Sequence, residues 1–131
     1  MFATKLAGAQ TLALRLRDDV RLVVLFSSIS GAFGNRGQAD YAAGGDALDK
    51  IAWALQRRIA GRVVSIDWGP WSGTGMAVDL EREYSRRGIG LIDPARGVEA
   101  LLAELYGGRD EQVILSATDP RAFMRGHEGH A

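Results

Sequence analysis

The sequence predicts an α/β protein with a layered parallel sheet, on three observations. Residues 22–26 (LVVLF) form a short continuous apolar run, the pattern of a strand buried on both faces, and residues 62–67 and 112–115 repeat it. Stretches with helical spacing lie between these runs, so strand, helix, strand, helix, strand is the order, which implies right-handed parallel crossovers. Glycine is enriched, at 17 of 131 residues or nearly twice the typical share of about 7%. The excess gathers after the strands, where backbone is expected to pass close to a ligand or another segment.

The elements follow in chain order. Residues 5–16 place Leu6, Ala9, Ala13 and Leu16 on one helical face, and Asp18 and Asp19 end that helix. After the first strand, residues 41–59 show helical spacing through Ala47, Leu48, Ile51, Ala52 and Leu55. The second strand runs into WGPWSGTGM at 68–76, followed by a charged amphipathic stretch at 80–87. Glycine, proline and two tryptophans at a strand's carboxyl end suggest a binding rim with a lid, since ligands of open α/β sheets sit outside those ends. Asp93 as N-cap and Pro94 in the first turn start a further helix through Val98, Leu101, Leu102 and Leu105, which Gly107 and Gly108 stop.

Composition bounds the function. Forty-seven per cent hydrophobic content suits one globular domain. Sixteen basic residues balance sixteen acidic ones, so no overall field draws nucleic acid or an anionic membrane. No apolar run nears the roughly 20 residues that span a bilayer. With no cysteine and no apolar signal-type core, neither a disulfide framework nor a thiolate zinc site is expected, and a cytoplasmic location is the default. His127 and His130 fall in a polar tail, where a frayed terminus is the ordinary reading, so no metal site is assigned.

The chemistry concentrates in FSSISG at 26–31 and GQADYAA at 37–43. A serine hydroxyl ends an apolar strand, and thirteen residues later a tyrosine opens a helix. Reducing a ketone with a hydride needs a proton donor for the developing alkoxide and a second hydrogen bond to hold the oxygen. Ser28 and Tyr41 have those functions, and a lysine ammonium would lower the phenol's pKa from about 10. Lys5 is the candidate. The structural alternatives are a serine pair capping a turn, a packing tyrosine and a solvated surface lysine. Trp68 and Trp71 read as core and rim packing as readily as ligand contacts, and Trp53 reads as packing.

The words LFSSISGAFGNRGQADYAAGGDALD at 25–49 and VVSIDWGPWSGTGM at 63–76 resemble the C-terminal part of a polyketide synthase ketoreductase domain, of the short-chain dehydrogenase/reductase superfamily. The resemblance implies a partial Rossmann-like, doubly wound parallel sheet, with residues 1–124 as the catalytic region and 125–131 as a polar tail. It implies NADPH-dependent reduction of a β-ketoacyl chain borne on an acyl carrier protein. Catalytic residues Ser28, Tyr41 and Lys5 are carried over, together with Pro70, Trp71, Ser72, Gly73, Gly75 and Met76 at the cofactor. Two departures temper it. Gly45 stands where the family usually has asparagine, on the helix face of Tyr41. The glycine-rich βαβ unit that receives a pyrophosphate is not found before Lys5, so the cofactor half is expected from a partner, from the rest of a synthase or from a second copy. The competing expectation is a truncated, non-catalytic interaction module.

Overall fold

A computed structural model describes the backbone of residues 2–29, 39–73 and 78–119, and their side chains except at 2–6, 39–46 and 78–79. The order is α1 (Phe2–Arg15), β1 (Leu22–Ser28), α2 (Ala39–Gln56), β2 (Arg62–Trp68), α3 (Val78–Arg86), α4 (Pro94–Gly107) and β3 (Gln112–Leu115). The three strands form one sheet in the order β1-β2-β3. Its β2–β3 ladder is parallel: the Ser65 N–H donates to the Glu111 carbonyl at 2.8 Å, and the Gly69 N–H, four residues on, donates to that of Leu115 at 2.7 Å. The expected α/β class and parallel sheet are what the structure contains. No helix among the described residues is long and apolar enough to cross a membrane.

The chain divides into two compact units, residues 1–67 with 109–113, and residues 68–108 with 114–131. In the first, α1 packs on α2 and α2 on β1. The reason is apolar spacing. Ala52, Leu55 and Ile59 from the second helical stretch close over Val23, Leu25 and Val63, with Ala13, Leu16, Val20 and Ile51 packed around them. Gln56 then clips the turn after α2: its Nε2 donates to the Gly61 carbonyl and its Oε1 accepts from the Val63 N–H, both at 2.7 Å.

Burial corrects one expectation. Every residue from Val63 to Trp68 is buried, as predicted for a strand covered on both faces, whereas β1 alternates. Val23, Leu25 and Ser27 face the core, while Leu22 and Phe26 are 43% and 54% exposed. The difference follows from position in the sheet. β2 is the middle strand, and β1, at one end of the order, is covered by α2 on the Val23 and Leu25 side.

In the second unit, α3 buries Tyr84 and stops at Gly88, which adopts φ 72° while the Ile89 N–H reaches back to the Tyr84 carbonyl at 2.9 Å. That left-handed residue ends the helix because glycine alone meets it without a Cβ penalty. Helix α4 starts as expected at Asp93 and Pro94, but the Asp93 side chain makes no capping bond. Its carbonyl takes the Gly97 N–H at 2.9 Å instead. The tail at 125–131, with both histidines, lies outside the described residues.

Candidate active site

Ser28 is the last residue of β1, half-buried, beside the fully inward Ser27. Side chains alternate across a strand, so these neighbouring hydroxyls leave the sheet on opposite faces. Lys5 sits in α1, and Tyr41 in the first turn of α2 with Gly45 one turn later. The side chains of Lys5 and Tyr41 lie outside those described. What the backbone establishes is that the three elements carrying serine, tyrosine and lysine belong to one compact unit, with α2 packed on both α1 and β1.

Beneath this lies a polar cluster that sequence reading did not single out. Asp49 on α2, Ser65 and Asp67 on β2 and Gln112 on β3 meet in the interior, with both carboxyls and Ser65 almost wholly buried. Ser65 Oγ donates to Asp49 Oδ1 at 2.5 Å. Gln112 Nε2 donates to Asp67 Oδ2 at 2.8 Å and to Asp49 Oδ2 at 3.2 Å, while its Oε1 accepts from the Trp53 indole at 3.3 Å. An indole N–H can only donate, so it sets the amide's orientation and turns the NH2 toward the two acids. Trp53, expected to be packing, is thus half-exposed and holds Gln112. Burial pushes the Asp67 carboxyl up to about 8, and Asp49 beside it adds to the rise against the easing effect of Gln112 and Ser27. The available signal was an acid inside a strand that is otherwise buried throughout.

The second unit contains the loop after β2. Pro70 is buried, Trp71 and Ser72 are half-buried and Gly73 is exposed; Gly75 and Met76 lie outside the described residues. Two backbone bonds pin the loop to residue 92: the Ile92 N–H donates to the Pro70 carbonyl at 2.7 Å and the Ser72 N–H to that of Ile92 at 2.9 Å, forming a parallel bridge opposite Trp71. The Ser72 hydroxyl also reaches the Ile92 carbonyl, at 3.3 Å. The Trp71 ring meets Trp68 edge-on with centroids 4.9 Å apart, and lies where a Cβ on Gly97 would stand, its Cζ2 only 2.6 Å from that position. Gly73 turns the chain with φ 68°, and among the described residues nothing lies within 4 Å of where its Cβ would stand. Replacing Gly97 with alanine therefore forces the indole out of its seat. The expected result is a loss of about 2 kcal/mol with changed Trp71 fluorescence, measured by denaturant unfolding and emission spectra.

Among the described residues there is no cluster of three or more metal-ligating side chains. The comparisons bear on the remaining chemistry. Residues 1–73 match the KR domain family. Over 119 residues the chain is 40% identical to polyketide synthase GfsA of Streptomyces halstedii, covering 87% of this chain and 2% of that synthase. It is 37% identical over 125 residues to erythronolide synthase EryA3 of Saccharopolyspora erythraea, covering 95% and 4%. Among solved structures, PlmKR1, a ketoreductase from the first module of phoslactomycin biosynthesis in Streptomyces sp. HK803, superposes with a TM-score of 0.85 at 34% identity, covering 95% of this chain and 29% of that one. The chain belongs to the KR domain family of polyketide synthases, within the short-chain dehydrogenase/reductase superfamily. It spans a few per cent of those synthases and under a third of the solved ketoreductase.

Proposed function

We propose that this chain is the substrate-handling part of a ketoreductase, reducing the β-keto group of a carrier-bound acyl chain with NADPH. The observation that carries this reading is the family match over residues 1–73, which contains Lys5, Ser28 and Tyr41 on elements packed as one unit. Residues 1–124 form the catalytic region and 125–131 a tail. Ser28 and Tyr41 hydrogen-bond the substrate carbonyl oxygen, Tyr41 protonates it as negative charge develops, and Lys5 lowers the phenol's hold on its proton.

NADPH, when bound, supplies the hydride. Its fit rests on the loop following β2. Trp71 and Ser72 are engaged with Gly97 and Ile92 and so shape the loop, whereas Gly73, exposed and in a left-handed turn, offers backbone that a cofactor can approach. Pro70 sets the chain direction, and Gly75 and Met76 are assigned to the cofactor by the family resemblance alone. The chain spans 29% of PlmKR1, and the pyrophosphate-binding segment is assigned to the remainder of such a ketoreductase domain. The acyl carrier protein delivers the substrate.

The test mixes the full chain with NADPH and a β-ketoacyl thioester, alone and with the N-terminal half of a ketoreductase such as PlmKR1. Mass spectrometry then follows the β-hydroxyacyl product. Product is expected in the mixture, and Tyr41→Phe should reduce it by at least about 100-fold. Gly45, which leaves the helix face of Tyr41 without a side chain one turn on, favours a second reading of the chain as a non-catalytic ketoreductase-like module. NADPH binding with no product in any mixture would select it.

A further inference from the structure

The buried acids described above do more than pack. Asp67 Oδ2 and Asp49 Oδ2 share one donor group, the Gln112 amide, at 2.8 and 3.2 Å. Among the described residues, Asp67 Oδ1 is buried with no hydrogen-bond partner. A carboxylate in that position would carry an unsatisfied, desolvated oxygen next to a second negative charge, an arrangement that is strongly unfavourable unless a cation compensates.

Among the described residues, none of the groups acting on the Asp67 carboxyl is a cation. From α2 the neighbours are Asp49 itself and the Trp53 indole, with Lys50 exposed to solvent; from β1 the neighbour is Ser27, from β2 Ser65, and from β3 Gln112. Arg62, also on β2, directs its guanidinium to the Asp110 carbonyl at 3.1 Å. Asp110 and Glu111, which precede β3, add negative rather than positive charge.

We propose that Asp49 and Asp67 hold a single proton between them, and that this proton is a pH-sensitive latch fastening α2, β2 and β3 together below the end of β1. Protonated, Asp67 becomes a donor as well as an acceptor, so both acids and the Gln112 amide can be satisfied at once. Deprotonated, two negative charges share one amide, and the strain falls on Gln112, the only side chain of β3 in the cluster. The latch stands whether or not the chain reduces a ketone.

The sign follows from linkage. Folded, Asp67 keeps its proton up to about pH 8; unfolded, it releases it near 3.8. The folded state thus binds the extra proton between those values, and its stability is full at the acidic end and declines as pH rises, levelling above about 8. A one-proton difference changes the folding equilibrium constant about tenfold per pH unit.

Denaturant unfolding of the full chain from about pH 5 to 8 tests this. The unfolding equilibrium constant of the native sequence should rise close to tenfold per unit more steeply than that of Asp67→Asn, whose neutral amide has no proton to lose. Parallel curves would overturn the latch. Should Asp67→Asn fail to fold, carbon-13 carboxyl NMR of the native chain decides: one carboxyl titrating near pH 8 supports the proposal, and its midpoint should move to lower pH in Asp49→Asn. A native chain in which every carboxyl titrates in the ordinary acidic range overturns it.

Discussion

Replacing Gly61 with alanine is expected to destabilise the chain by about 3 kcal/mol, the upper end for overpacking, lowering the melting temperature by roughly 10 °C. The added methyl would overlap the Val20 carbonyl oxygen and lie 2.6 Å from the carbonyl carbon and oxygen of Arg21. All these atoms are backbone, so no rotamer change relieves the clash. Moving the strands apart is no remedy, because the Arg62 N–H donates to that same Arg21 carbonyl at 2.9 Å and opens the β1–β2 ladder. The Gly61 carbonyl is meanwhile held by Gln56. Gly8→Ala is the internal control: among the described residues nothing lies within 4 Å of the new carbon, and in mid-helix the change should stabilise by up to about 1 kcal/mol. Thermal unfolding of the pair separates close backbone approach from a general intolerance of alanine.

The second large effect is Leu55→Ala, expected to cost about 3 to 4 kcal/mol. Leu55 is 3% exposed within the cluster of Val23, Leu25, Ala52, Ile59 and Val63. Removing it leaves a void bounded on one side by strands whose ladder limits collapse. A domain of this size holds only about 5 to 15 kcal/mol in total, so a large share of the stability goes with one side chain. Urea unfolding should show a lower midpoint at unchanged slope. Leu14→Ala, at a position 79% exposed, should move the midpoint very little.

These expectations indicate how far the fold was legible from residues alone. The order of strands and helices was, because a continuous apolar run and a 3.6-residue spacing are local signals. The strand ends were so in part: β1 stops at Ser28, where a serine was expected to end it, whereas β2 continues past Asp67 through Trp68, since ladder bonds rather than hydrophobicity decide where a strand stops. The face of Leu22 and Phe26 was misjudged for a related reason. LVVLF has the same composition whether its strand is central or terminal, and only the sheet order distinguishes the two.

Within the candidate site, Ser28 could be placed at a strand end and Tyr41 at a helix opening from their flanking words. The carboxyl cluster could not, because positions 49, 67 and 112 come together only through two crossovers. The second role of Trp71 was equally hidden. Nothing near it in sequence announces that Gly97 makes room for its ring, and a tryptophan beside proline and glycine reads as a rim residue in either case.

The bridge between Trp71 and Ile92 has a consequence for how such a chain can change. With Pro70, Ser72 and Ile92 tied by backbone bonds, the stretch from 73 to 91 enters and leaves through a fixed doorway. Its length and composition become nearly independent of the sheet: doubling a loop of this kind adds only about 0.6 kcal/mol of closure entropy, and the pinning bonds involve no side chain within it. Insertions or deletions at its exposed positions can therefore accumulate without disturbing β2 or α4, as long as Tyr84 and Ile89 stay buried and Gly90 keeps its bond to Thr118.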